Sequence, residues 1–378
     1  MEKFFIGTLN NISKVGLSRL TDQFELTDDN DLANGIIVRS FKMHDMAFSK
    51  NLLAIGRAGA GVNNIPLDRC AEDGIVVFNA PGANSNAVKE LVVAALIMGA
   101  RNLYEGISWA NTLEGDVAGA VEKGKKQFAG TEIAGKTLGV IGLGAIGAKV
   151  ANAAWALDMD VVGYEAFQPH PCLKAPVKLY DSVEEMVKGC DYISIHVPSL
   201  PATKGMINAS LIEKMKDGVI ILNFARPDLV VNQDILAATA SGKVRKYLTD
   251  VPNEELVRQP NVVTTPHLGA SSEEAEDNCA SMAVDELMDY LQNGNIRCSV
   301  NFPAVTAEPQ EGTIRVSILY KDVEDITALI EKAVGADNVV SVAVGKSRNN
   351  YGAAIALLTE GADTSALEAA GLLRVRVL

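Results

Sequence analysis

From Lys3 to Asn79 short apolar runs alternate with polar intervals: FFIG, GIIV, LLAIG and GIVVF. Apolar runs of that length bounded by turn residues predict strands, and their spacing predicts a small open α/β sheet. From about Asn84 to Leu103 apolar residues fall nearly all round a helical wheel, which predicts a helix buried on most sides. A regular alternation follows: TLGVIGL, helix Ala145 to Leu157, DVVGYE, helix Val183 to Lys188, DYISIHV, helix Ala209 to Met215, GVIILN, helix Gln233 to Ala240, KYLTDV and NVVTTP. Strand and helix at this spacing predict a parallel, doubly wound domain. A long helix from Ser272 to Asn293 leads back toward the first sheet, and Thr306 to Gly312 reads as a linker. Beyond it, TIRVSILY, helix Ile326 to Val334, NVVSVAV, YGAAIALL, helix Thr364 to Ala369 and LLRVRVL give the βαββαβ order of a ferredoxin-like α+β unit.

Composition narrows the classes. A chain of 378 residues has room for two or three cored domains. Its formal charge of −13 argues against a nucleic-acid partner or an anionic membrane surface. The longest apolar stretch, Leu91 to Ala100, is too short to span a bilayer, and the N-terminus shows no leader pattern. Five scattered cysteines, with no CxxC and no Cys/His group, predict neither a disulfide framework nor a metal site, and fit a reducing cytoplasm.

GLGAIG, Gly142 to Gly147, fits GxGxxG and lies between a predicted strand and a predicted helix. There the first glycine permits a tight turn, the second admits a pyrophosphate and the third allows close helix packing. Glu165 ends the next strand at about the ~20-residue separation at which a carboxylate meets the ribose hydroxyls. A carboxylate there repels a 2′-phosphate, so the reading is NAD rather than NADP.

Chemistry gathers at three further strand ends. NFARPDLV puts Arg226 after an apolar strand, where Pro227 keeps it out of helical geometry. By itself such an arginine is most simply a solvated loop residue. DVPNEE puts Asp250, Glu254 and Glu255 after another strand, and TTPHLGAS puts His267 after a third. A guanidinium to grip a carboxylate and carbonyl oxygen, an imidazole to take a hydroxyl proton and a glutamate to hold that imidazole suit hydride chemistry on a hydroxy acid.

RAGAGVNNI, NAPGANSNAVKE, GKTLGVIGLGAIG, HVPSLPATKGMIN, NFARPDLV and TPHLGAS together resemble the motifs of the D-isomer-specific 2-hydroxyacid dehydrogenases, along essentially the whole chain. The resemblance implies a Rossmann NAD domain, residues 96–285, inserted in a smaller flavodoxin-like substrate domain, residues 1–95 with 286–308 returning to it. Residues 309–378 resemble the ACT regulatory domain that such enzymes carry. It implies Arg226 and His267 as catalytic residues with Glu255 as the histidine's partner, or Glu254 if one deletion is allowed. Gly142, Gly144, Ala145, Ile146, Gly147, Glu165, Val197, Phe224, Asp250, Gly269 and Ala270 fall to the cofactor, with Asp250 near the nicotinamide carboxamide. The backbone of Gly59, Ala60 and Gly61 falls to the substrate carboxylate. Arg39, by position alone a strand-end surface charge, falls with Lys42 to a substrate phosphate.

The implied partner is a phosphorylated 2-hydroxy acid in a cytoplasmic homodimer, with further assembly through the C-terminal domain. Glycerate, lactate or erythronate 4-phosphate as substrate, or a non-catalytic NAD-sensing role, are the alternatives. The chain departs from the family at Glu165, usually aspartate, and at PDLV, usually a double glycine. The turn of serine-binding ACT domains is replaced by YKDVEDI, with Tyr320, Asp322, Glu324 and Asp325 in place of its His, Asn, Pro and Gly.

Overall fold

The computed structural model describes residues 3–378, which divide into two compact units. One holds the described residues up to Asn84 with Glu273–Leu378, and the other is Ser85–Ser272.

The first unit begins with five parallel strands, β1 (Phe4–Leu9), β2 (Phe24–Thr27), β3 (Gly35–Val38), β4 (Ala54–Arg57) and β5 (Val76–Phe78), in the flavodoxin-like order β2-β1-β3-β4-β5. Short helices α1 (Lys14–Leu17) and α2 (Leu67–Glu72) connect them. β3 is buried along its whole length because the sheet is covered on both faces. Ile36 and Val38 pack with Ile55, Cys70 and Val77, and Ile37 packs on the opposite side.

The second unit opens with α3 (Ser85–Arg101), α4 (Leu103–Ala110) and α5 (Val117–Gly124). Its sheet holds β6 (Thr137–Ile141), β7 (Asp160–Tyr164), β8 (Lys178–Leu179), β9 (Tyr192–Ile195), β10 (Val219–Asn223), β11 (Val244–Thr249) and β12 (Val262–Thr264), in the order β12-β11-β10-β9-β6-β7-β8. With β6 counted as first, this is the doubly wound 3-2-1-4-5-6 arrangement plus one strand. The connecting helices are α6 (Ala145–Ala156), α7 (Val183–Val187), α8 (Ala209–Glu213) and α9 (Asn232–Ser241). The expected boundary at 95/96 falls inside α3, which belongs whole to this unit. Its Val92, Ala95 and Leu96 pack with Val140, Ile220 and Leu222.

The chain returns to the first unit through α10 (Glu273–Asn293), whose Ala283, Val284 and Leu287 share a core with Ile37, Val76 and Phe78. The expected return at residue 286 thus lies in mid-helix. The last segment forms β13 (Thr313–Lys321), α11 (Ile326–Val334), β14 (Val339–Val344), β15 (Tyr351–Thr359), α12 (Ser365–Glu368) and β16 (Arg374–Val377). Its antiparallel sheet, β14-β15-β13-β16, is ferredoxin-like in topology. It does not separate from the rest of the first unit. Val316, Ile318 and Tyr320 pack under α11, but Leu319, Ala353 and Ile355 share a core with Tyr290 and Phe302.

Candidate active site

The glycine loop has the geometry its sequence demands. Gly142 holds φ at 90°, and a Cβ on Gly147 would stand 1.9 Å from the Gly142 carbonyl oxygen. Around Gly144, by contrast, a Cβ would meet nothing within 4 Å, which leaves room for a pyrophosphate beside the first turn of α6. Glu165 faces the loop and accepts hydrogen bonds from the Leu143 amide at 2.6 Å and the Phe167 amide at 3.2 Å. Val197 sets one methyl where a Gly142 side chain would stand, whereas Phe224 lies in the apolar core beside Leu222 and Leu248. These residues fit a dinucleotide. His196, next to Val197, shares a hydrogen bond of 2.8 Å with the Ser194 hydroxyl, and burial pushes its pKa down to about 3. It is a neutral structural group.

Register lines up the chemistry. Asn223 pairs with Thr249 and Thr249 with Thr264, so β10, β11 and β12 end together and release Arg226, Asp250 and His267 from neighbouring positions. Arg226 is exposed, and among the described residues its guanidinium bonds only the Ala225 carbonyl. His267 is exposed in the left-handed region, with φ at 56°. Asp250 is buried, and its carboxylate accepts from the Thr265 hydroxyl (2.7 Å), the Leu268 amide (2.7 Å) and the Gly269 amide (2.6 Å). In this state it anchors the histidine loop through the very amide of Gly269. Ala270 follows on the same loop, half-buried.

The expected glutamate partner is not brought to the histidine. The Glu255 carboxylate accepts from Asn232 Nδ2 at 2.7 Å, Glu254 is exposed, and the His267 ring has no hydrogen bond among the described residues. Asn253 explains this. Its side chain accepts from the amides of Glu255 and Leu256, and the turn so fixed buries Leu256 and leaves both glutamates outside.

In the first unit the segment after β4 is shaped for an anion. Gly59 holds φ at 144°, its carbonyl accepts from the Ala80 amide and the Ala60 carbonyl accepts from Asn79 Nδ2, while the amides of Ala60 and Gly61 donate to no acceptor among the described residues. Arg57 lies against it, its Nη1 standing 1.4 Å from where a Gly59 Cβ would be. A cavity of about 460 Å³ is lined by Ser40, Lys42, His44, Arg57, Asn63 and Asn64. Arg39 is not among them and pairs with Glu276 of α10 at 2.5 Å. Arg57 went unassigned in the sequence although it stands in RAGAGVNNI, at a strand end like Arg226. That position was the available signal.

Among the described residues no His, Cys, Asp and Glu group could hold a metal, and burial pushes the Cys70 and Cys190 thiols up to about 12. No single helix among them is long and apolar enough to cross a membrane. Only α3 and α4 taken together would be, and they bend by 73° at Asn102.

Residues 93–269 match the family model described as the NAD binding domain of D-isomer specific 2-hydroxyacid dehydrogenases. The D-3-phosphoglycerate dehydrogenase of Methanocaldococcus jannaschii is 37% identical over 270 residues, covering 70% of this chain and 49% of the relative. That of Haemophilus influenzae is 34% identical over 285 residues, covering 72% and 66%. The chain thus spans between about half and two thirds of the length of these relatives. The NAD+-bound 3-phosphoglycerate dehydrogenase structure of Entamoeba histolytica is 26% identical with a TM-score of 0.63, covering 79% of this chain and 99% of that one.

Proposed function

We propose, for a chain that belongs to the D-isomer specific 2-hydroxyacid dehydrogenase family, the NAD-dependent oxidation of D-3-phosphoglycerate to 3-phosphohydroxypyruvate, the first reaction of serine synthesis. The observation that carries this reading is the register that ends β10, β11 and β12 together, presenting Arg226 and His267 on either side of Asp250 in sheet order. Bound at the Gly142–Gly147 loop, NAD supplies the hydride acceptor. Arg226 offers paired planar N–H donors to the acid's carboxylate and to the oxygen that becomes the carbonyl. His267 takes the hydroxyl proton as the C–H bond on the same carbon gives up its hydride and the C=O bond forms. Its exposed ring then passes the proton to solvent.

The amides of Ala60 and Gly61 receive the substrate carboxylate, and Lys42, His44 and Arg57 face the phosphate in the role first assigned to Arg39. Glu165 selects NAD. Its carboxylate, already directed at the glycine loop, hydrogen-bonds ribose hydroxyls and repels a 2′-phosphate. Leu103, Tyr104 and Ile107 of α4 and Val117 of α5 are exposed apolar residues, and they support a homodimer formed through this region.

A panel of 2-hydroxy acids assayed for NADH formation tests the reading. D-3-phosphoglycerate with NAD is expected to be the best pair, with D-glycerate and D-lactate far slower and NADP poorly used. Faster turnover of an unphosphorylated acid would move the assignment to another dehydrogenase of the family. No turnover of any acid would favour a non-catalytic NAD-binding role.

A further inference from the structure

We propose that Asn79, which follows β5, is the positioning residue that aims the Gly61 amide at the substrate carboxylate. In a planar trans peptide the C=O of one residue and the N–H of the next point in opposite directions, so fixing a carbonyl also fixes the following amide. The Gly59 carbonyl is held by the Ala80 amide at 2.9 Å, which sets the direction of the Ala60 N–H. The Ala60 carbonyl is held by Asn79 Nδ2 at 2.7 Å, which sets the direction of the Gly61 N–H. Two consecutive residues at the end of β5 thus aim two consecutive amides, and neither amide has an acceptor of its own among the described residues. One hold comes from backbone and tolerates any non-proline residue at 80. The other requires a side-chain donor at 79.

The donor is itself fixed. The Asn79 amide donates to the Cys298 carbonyl at 3.4 Å, and the Cys298 amide donates at 3.4 Å to Glu286, a buried residue of α10. Just before it, the Val77 amide donates to Asn301 Oδ1 at 2.9 Å and Asn301 Nδ2 donates to the Ile75 carbonyl at 2.8 Å. The end of β5 is therefore clasped by the 298–301 segment, so the Asn79 amide group has little freedom to follow a wandering loop. An aspartate here would turn a carboxylate oxygen toward the Ala60 carbonyl, and an alanine would leave that carbonyl free to rotate.

The proposal rests on the reading that Ala60 and Gly61 receive the substrate carboxylate. That group is common to all 2-hydroxy acids, so the test runs on D-3-phosphoglycerate or on whichever acid of the panel the wild type oxidises. A wild type that prefers another acid overturns the substrate assignment and still tests Asn79. Purified Asn79→Ala and Asn79→Asp are compared with wild type for KM, kcat, NADH affinity and melting temperature. Loss of one hydrogen bond that orders the loop is expected to raise KM for the acid roughly three- to tenfold in both variants. The carboxylate is gripped equally before and during the reaction, so kcat stays within about twofold, and NADH affinity does not move. If Asn79 only fills space, the isosteric Asn79→Asp keeps its KM. If only charge matters, Asn79→Ala keeps its KM. Either result overturns the proposal, as does a parallel fall in kcat and NADH affinity, which marks a general loss of structure.

Discussion

His267 occupies a left-handed backbone conformation that costs an ordinary residue about 1–2 kcal/mol, and something must hold it there. Asp250 does so, since its buried carboxylate collects Thr265, Leu268 and Gly269 from both sides of the histidine. In Asp250→Asn one acceptor oxygen becomes a donor, so at least one of these three donors loses its partner. The expected cost is about 1–3 kcal/mol, measured by urea unfolding, with a fall in turnover as the loop loosens. His267→Ala should lower kcat about 10²–10⁴-fold while NADH still binds, and near-normal turnover would remove the histidine from the chemistry. Spacing along the sequence brought Arg226, Asp250 and His267 to the ends of three neighbouring strands, because the strands of a parallel sheet all point their carboxyl ends the same way. It could not say which way a carboxylate turns within its loop. That is decided by Asn253 and Leu256 for Glu255, and by the Thr265–Gly269 amides and hydroxyl for Asp250.

At the scale of elements, the turn from β6 into α6 separates folding from binding. Gly144 is the N-cap of α6 at φ −64°, a conformation open to any residue, with empty space about its missing Cβ. Gly144→Ala should therefore change stability by less than about 1 kcal/mol. It should nevertheless weaken NADH binding by roughly tenfold or more, since the new methyl fills the space left for the pyrophosphate. Gly147→Ala forces a methyl against the Gly142 carbonyl and should destabilise the fold itself by about 1–3 kcal/mol. Equal melting temperatures for the two variants would contradict this division. Glu165→Ala should narrow the preference for NAD over NADP, read as the ratio of kcat/KM values. The glycine loop was legible in sequence because a tight turn and a close helix tolerate few residues. The same holds for the buried strands and the long helices α3 and α10, whose apolar patterns are continuous. α4 and α5 carried no such signal, since neither has a buried residue. Arg39 was legible as a strand-end cation but not as the partner of Glu276, which lies more than two hundred residues away in sequence.

Over the whole molecule, the C-terminal ferredoxin-like segment is joined to the rest of the first unit by more than a linker. Arg315 donates to the carbonyls of Asn293 and Ala307 and to Asn295 Oδ1, and Arg376 donates to the Tyr290 carbonyl, so the last turn of α10 is capped by two guanidinium groups. Arg374 ties down the two residues that follow α2, donating to the carbonyls of Gly74 at 2.8 Å and Asp73 at 2.9 Å. Truncation after Gln310 removes these caps and uncovers Tyr290, Ile296 and Phe302, so the shortened chain should melt well below the full one or aggregate. A regulatory role for the same segment is expected to be absent for L-serine. The turn after β13 puts Asp322 at φ 55°, and Asp325 spends its carboxylate capping α11 through the Ala328 amide. The Tyr320 ring lies so close to Gly352 that a Cβ there would stand 2.1 Å from it. An amino-acid carboxylate approaching this turn meets acidic side chains and a helix start that is already capped. Initial rates of the full chain should stay unchanged in millimolar L-serine, and saturable inhibition in that range would show that the turn still binds the amino acid.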